Sequence, residues 1–124
     1  MYSGLSLQSK VARVTGDATL SAAFVEFGGI FRPSYRVRCL TAWQQALKKF
    51  GLQSTPNYSL QDALTSPQEV QEWLMQGLPD DELSVENAAI TLNAQCCPML
   101  IDPHQQAANW LAYTFPEMKV CAVM

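Results

Sequence analysis

The sequence predicts an α/β chain that is mainly helical: a helical segment leading into an incomplete parallel α/β unit. Three observations carry this. Apolar residues recur at helical spacing between residues 20 and 50. Proline, glycine and capping residues then divide residues 51 to 97 into short helices. The last third reads strand, turn, helix, strand, the order of a parallel α/β unit. The division falls between residues 1–65, the helical segment, and residues 66–124, the start of the α/β unit.

Residues 7 to 28 form the first predicted helix, with Leu20, Ala23, Phe24 and Phe27 as its apolar stripe and Gly28-Gly29 as its stop. Pro33 suits the first turn of a second helix, which runs to about Phe50 and stops at Gly51. Val37, Leu40, Trp43, Leu47 and Phe50 share one face of it. Lys48 and Lys49 lie in its last turn, where cations suit the helix dipole. Residues 52 to 58 are a polar loop, and Ser59 to Leu64 is one short helical turn. Ser66-Pro67-Gln68-Glu69 is a capping box, opening a helix with Val70, Trp73 and Leu74 inward and Gly77-Leu78-Pro79 as its end. Ser84 is the cap of the next helix, with Glu86 in its first turn and Asn93 at its end. Pro98-Met99-Leu100-Ile101 has the look of a short buried strand. Asp102-Pro103 breaks it, and Gln105 to Thr114 is helix, with Ala107, Trp110 and Leu111 inward. Pro116 ends that helix, and Lys119 to Val123 is the second strand. Two strands alone do not make a stable sheet, so the unit needs strands from elsewhere.

The chain has 124 residues, 48% of them hydrophobic and 15% charged. A globular chain of this size buries roughly two thirds of its unfolded surface, and this one is too apolar for disorder. Low charge also fits a piece of a larger assembly that keeps apolar faces for its neighbours. A net charge of −3 gives no basic excess, which argues against a nucleic-acid partner. No apolar run approaches the ~20 residues of a bilayer span. The opening residues lack a charged start and a long apolar core, so no secretory signal is expected. Cys39, Cys96, Cys97 and Cys121 are then reduced thiols, read as small buried apolar residues. A zinc site would need ligands beyond the single histidine, His104, so no metal is expected.

The default ligand site of such a unit is the turn after its first strand. Here that turn is Asp102, Pro103, His104, Gln105, Gln106, Ala107, Ala108 and Asn109. A phosphate loop needs glycines for backbone approach, a lysine for the β- and γ-phosphates and a Ser or Thr for magnesium. This turn has none of them, and Asp102 would repel a phosphate. Asp80, Asp81 and Glu82 could pose as paired carboxylates, but an exposed acidic helix entrance accounts for them better. His104 with Cys96 or Cys97 lacks a third partner and an oxyanion hole. Trp43, Trp73 and Trp110 sit on predicted apolar faces and are read as core or interface. No catalytic, cofactor-binding or metal-binding residue is assigned.

One series of motifs adds a family to this reading. Tyr58-Ser59-Leu60, Glu72-Trp73, Gly77-Leu78-Pro79-Asp80-Asp81, Leu83-Ser84-Val85-Glu86-Asn87-Ala88, Pro98-Met99-Leu100-Ile101-Asp102-Pro103, Gln106-Ala107 and Trp110 closely resemble dynein heavy chains. Upstream, Gly16-Asp17, Leu20, Ala22-Ala23-Phe24, Gly29, Phe31, Tyr35-Arg36 and Trp43 resemble the same family. The resemblance covers roughly residues 15 to 115. It implies the segment after the returning strand of the microtubule-binding stalk, leading into the fifth AAA+ (P-loop-like) module of the motor ring. In that family ATP hydrolysis lies mainly in the first module, and modules five and six complete the ring without hydrolysis. The implied role is structural and force-transmitting, with Trp43, Trp73, Gly77, Pro79, Glu86, Asn87 and Trp110 as structural positions. ATP and magnesium would be bound elsewhere in an intact dynein.

The implied partners are the other AAA+ modules and the stalk, and through the parent complex the light and intermediate chains and microtubules, with no nucleic acid and no membrane. The implied location is the cytoplasm and cytoskeleton, in a cilium or axoneme. The chain departs from the family where Gln105 stands for a usual Gly, Asn109 for a usual Lys and Cys97 for an aromatic. Its end before the hydrolytic strand and arginine finger reads as a partial gene model or diverged fragment. The alternatives are a stand-alone ATP-binding AAA+-like domain and a helical protein-interaction module.

Overall fold

The computed structural model describes residues 3–119, with side chains from Leu7 onward. Six α-helices follow one another: α1 Ser3–Phe27, α2 Pro33–Lys49, α3 Leu60–Leu64, α4 Pro67–Met75, α5 Glu82–Asn93 and α6 Gln106–Thr114, with a short 3-10 helix, Gly28–Ile30, after α1. They pack as two units, one ending at Leu64 and one beginning at Thr65.

In the first unit the buried stripe of α1 is Gly16, Leu20, Phe24, continuing to Gly28, one residue every helical turn. Phe27, placed in that stripe by the sequence, is exposed, because the stripe is narrower than the apolar composition suggests. The inward face of α2 shifts in the same way. Leu47 is buried, and Leu40 and Trp43 pack on its cluster, while Val37 and Phe50 are exposed. Arg36 takes the inward position one turn before Leu40 and is only 3% exposed. Its guanidinium donates to the Phe31 and Gly29 carbonyls, 3.0 and 3.5 Å away, and lies over the Phe24 ring. Trp43 meets Phe24 edge to face at 6.1 Å.

The 52–58 loop is tied down as firmly as a helix. The Asp17 carboxylate accepts both the Thr55 N–H, 2.7 Å away, and the Thr55 hydroxyl, 2.6 Å away. Gln44 donates to the Thr55 carbonyl, and Ser21 and Tyr58 share a hydrogen bond of 2.6 Å. Nothing in the local sequence signals these ties, whose partners lie 38 and 37 residues apart along α1 and the loop.

The second unit is built on Val70, Trp73, Leu78, Val85, Ala88, Ala89 and Trp110. Trp73 and Trp110 meet edge to face at 5.9 Å, and Gln76 accepts the Thr114 hydroxyl beside them. The Trp110 indole N–H is buried without a partner among the described residues. That costs about 1–3 kcal/mol, set against the apolar burial of the ring. Glu86, Asn87 and Pro79 are half-buried.

Helix ends follow the local sequence closely. Ser66 and Glu69 close the capping box in both directions at α4. α2 and α4 end alike: Gly51 and Gly77 take positive φ, Leu52 and Leu78 donate back to Leu47 and Trp73, and each returning leucine joins its unit's core. The cap of α5 is Asp81, not Ser84. Its carboxylate accepts the Ser84 N–H at 2.9 Å and the Ser84 hydroxyl at 2.6 Å, so Ser84 already lies in the first turn.

Among the described residues no strand forms, so the parallel α/β unit is not present there. Residues 98–101 are irregular, with Met99 and Ile101 88% and 89% exposed, where a buried strand was expected. A strand exists only through its ladder, and among the described residues this stretch has no strand beside it. Of the predicted second strand, Lys119 has no regular structure and residues 120–123 lie outside the described residues.

Two outcomes test this packing. A Cβ on Gly16 would collide with the Gln53 carbonyl oxygen and sit 2.8 Å from its carbon. Gly16→Ala gains about 1 kcal/mol of helix propensity but forces the loop away. A net loss of about 1–3 kcal/mol is expected in urea melts, and a stabilised variant would refute the close approach. The Glu69 carboxyl lies below the ordinary glutamate range because the backbone N–H and hydroxyl of Ser66 donate to it. A depressed carboxyl stabilises the fold above its unfolded pKa, so the capping box is complete at neutral pH. It weakens as pH falls through the lowered value. Acid titration of Tm should therefore be shallower in Glu69→Gln than in the parent chain.

Candidate functional site

The candidate site is the corner from Asp102 to Asn109, where the irregular stretch turns into α6. The turn is built by Asp102-Pro103-His104-Gln105. Pro103 pre-sets its first corner, and the Gln105 N–H closes it on the Asp102 carbonyl at 3.2 Å. Gln105 then sits at φ 57, the left-handed region. A side chain there costs about 1–2 kcal/mol that glycine would not. Gln105 offers no side-chain cap to the helix it precedes.

Asp102 supplies the cap instead. One carboxylate oxygen accepts the Gln106 N–H at 2.9 Å and the other accepts the Ala108 N–H at 2.8 Å. The negative group thus sits on the positive end of α6. These N–H groups are the ones a helix start offers to a phosphate. In this chain an internal carboxylate already holds them, and its charge opposes a second anion. His104, Gln105, Gln106 and Asn109 are exposed, and Asp102, Ala107 and Ala108 are half-buried. No lysine, serine or threonine lies within the corner. Trp110, directly after it, anchors α6 in the core.

The corner residues are brought together because they are contiguous; the other predicted candidates are not assembled. Asp81 is committed to its cap, beside exposed Asp80 and Glu82. Cys96 and Cys97, expected to be buried, are exposed, and so is His104. The cysteines lie in the irregular stretch before the corner, which joins no sheet among the described residues. Among the described residues no cluster of three or more metal-ligating side chains occurs, and no helix is long and apolar enough to cross a membrane. The capping role of Asp102 escaped the sequence reading, although Asp-Pro is a known turn-starting pair whose carboxylate can return to later N–H groups.

Asp102→Ala should release two helix-start N–H groups and destabilise the chain by about 0.5–2 kcal/mol. Asp102→Asn, which keeps an acceptor, should lose less. Equal losses in the two variants, read from denaturant midpoints, would show that the carboxylate is not the cap.

Comparison with known proteins follows this geometry. Residues 71–123 match the family model described as the ATP-binding dynein motor region. The Dynein-1-alpha heavy chain of the flagellar inner arm I1 complex from Chlamydomonas reinhardtii is 38% identical over 106 residues, which is 85% of this chain and 2% of that protein. The cytoplasmic dynein heavy chain of Drosophila melanogaster is 32% identical over 115 residues, 93% of this chain and 2% of that protein. Human dynein axonemal heavy chain 10 is 36% identical over 106 residues, again 85% of this chain and 2% of the relative. The chain therefore spans about 2% of the length of the curated relatives it matches.

Proposed function

The chain is homologous to the motor region of dynein heavy chains, and from that premise we propose that it serves as a structural, force-transmitting part of an AAA+ ring. Its place is the end of the microtubule-binding stalk and the entry to the fifth module. It supports microtubule-based movement by packing and performs no hydrolysis itself. ATP and magnesium act elsewhere in the parent motor, and the chain alone is not an enzyme. Its direct neighbours are the other AAA+ modules and the stalk. Light and intermediate chains and microtubules are reached through the complex. The setting is the cytoskeleton, in a cilium or axoneme, since two of the relatives described are flagellar or axonemal by name.

The observation that carries this reading is the Asp102 carboxylate on the N–H groups of Gln106 and Ala108. It leaves the corner able to hold a helix and unable to cradle a triphosphate. A second feature supports it: Phe27, Ile30, Phe50, Met75, Met99 and Ile101 are all exposed, apolar surface of the kind that neighbouring elements cover.

Two measurements test the proposal. The melting temperature of the 124-residue chain should not move with Mg-ATP. A ligand at a hundred times its Kd would add about 2.7 kcal/mol, and such a shift would favour the stand-alone ATP-binding domain. In the second, the chain replaces the homologous segment of a dynein motor. ATP-driven microtubule gliding should persist, and ATPase activity without gliding would count against force transmission.

A further inference from the structure

The stretch between α5 and the corner carries two adjacent thiols, Cys96 and Cys97. Both are exposed and neither is in a disulfide. Among the described residues, no backbone hydrogen bond outside the helices involves residues 94–101. The chain bends at Gln95 and Cys96. In a strand, neighbouring side chains point to opposite faces, and a bent backbone is free of that rule. The two sulfurs can therefore converge on one atom outside the protein. Cys39, on α2, is half-buried and has no cysteine next to it in the sequence.

We propose that Cys96 and Cys97 form a vicinal dithiol site for trivalent arsenic compounds, soft electrophiles that take two thiolate ligands. With an arsenoxide, both S–H bonds break and two As–S bonds form. The arsenic–oxygen bond is lost, and the oxygen leaves as water with the two thiol protons. Arsenic stays trivalent and nothing is oxidised. Closing the second As–S bond is intramolecular, so its effective concentration far exceeds that of a free monothiol competitor. Both side chains are exposed, so the site closes without displacing a packed side chain.

Phenylarsine oxide added to the native, reduced chain tests this, with intact mass as the readout. One adduct per chain should form without denaturant, survive excess monothiol and leave with a small dithiol. Release by monothiol should be about a hundredfold slower than from either Cys96→Ser or Cys97→Ser. Both variants replace exposed side chains, so their folding should be unaffected. Cys39→Ser and Cys121→Ser should retain the adduct. Ready removal by monothiol, an adduct that needs denaturant, or retention in Cys96→Ser would each overturn the proposal.

Discussion

The carboxylate of Asp102 accepts the N–H groups of Gln106 and Ala108 together, and the last helix begins where it does because of this. Four N–H groups at a helix start have no partner within the helix. In a nucleotide site some of them wait for a phosphate. Here the chain satisfies two of them internally, with the charge that suits the dipole. The corner becomes self-sufficient, and Trp110 follows at once to anchor the helix in its core. Trp73 meets Trp110 edge to face in that core, so the corner, α6 and α4 share one packed cluster.

The same economy governs the first unit. Gly16 removes a side chain so that the 52–58 loop can lie against α1, and Asp17 uses that proximity to hold Thr55 by both its N–H and its hydroxyl. Ser21 and Tyr58 repeat the tie one turn further along. Arg36 sits buried under the α1–α2 connection with carbonyls as its partners. A helix pinned to its loop by polar bonds, and not only by apolar contact, keeps a defined register under load.

The exposed apolar residues follow from the same logic. Met99 and Ile101 belong to a run with the composition of a sheet strand, and among the described residues there is no sheet for it to join. Cys96 and Cys97 are accessible in the same irregular stretch. Among the described residues the irregular backbone, the uncovered apolar side chains and the exposed Cys96 and Cys97 occur together.

Features that depend on neighbours a few positions apart can be read from the order of residues. The Ser66–Glu69 capping box, Pro33 and Pro67 at helix starts and the glycine stops at Gly51 and Gly77 were all legible, because each is closed within one turn. Periodicity found the helices but missed which side of each is covered: Phe27, Val37 and Phe50 lie outside and Arg36 inside. Burial is decided by what packs opposite, and that partner can be tens of residues away. The tertiary structure alone decided the Asp17–Thr55 tie, the fate of residues 98–101 and the accessibility of the two thiols. In each case the deciding term is a hydrogen bond or a contact made, or left unmade, across distance in the chain.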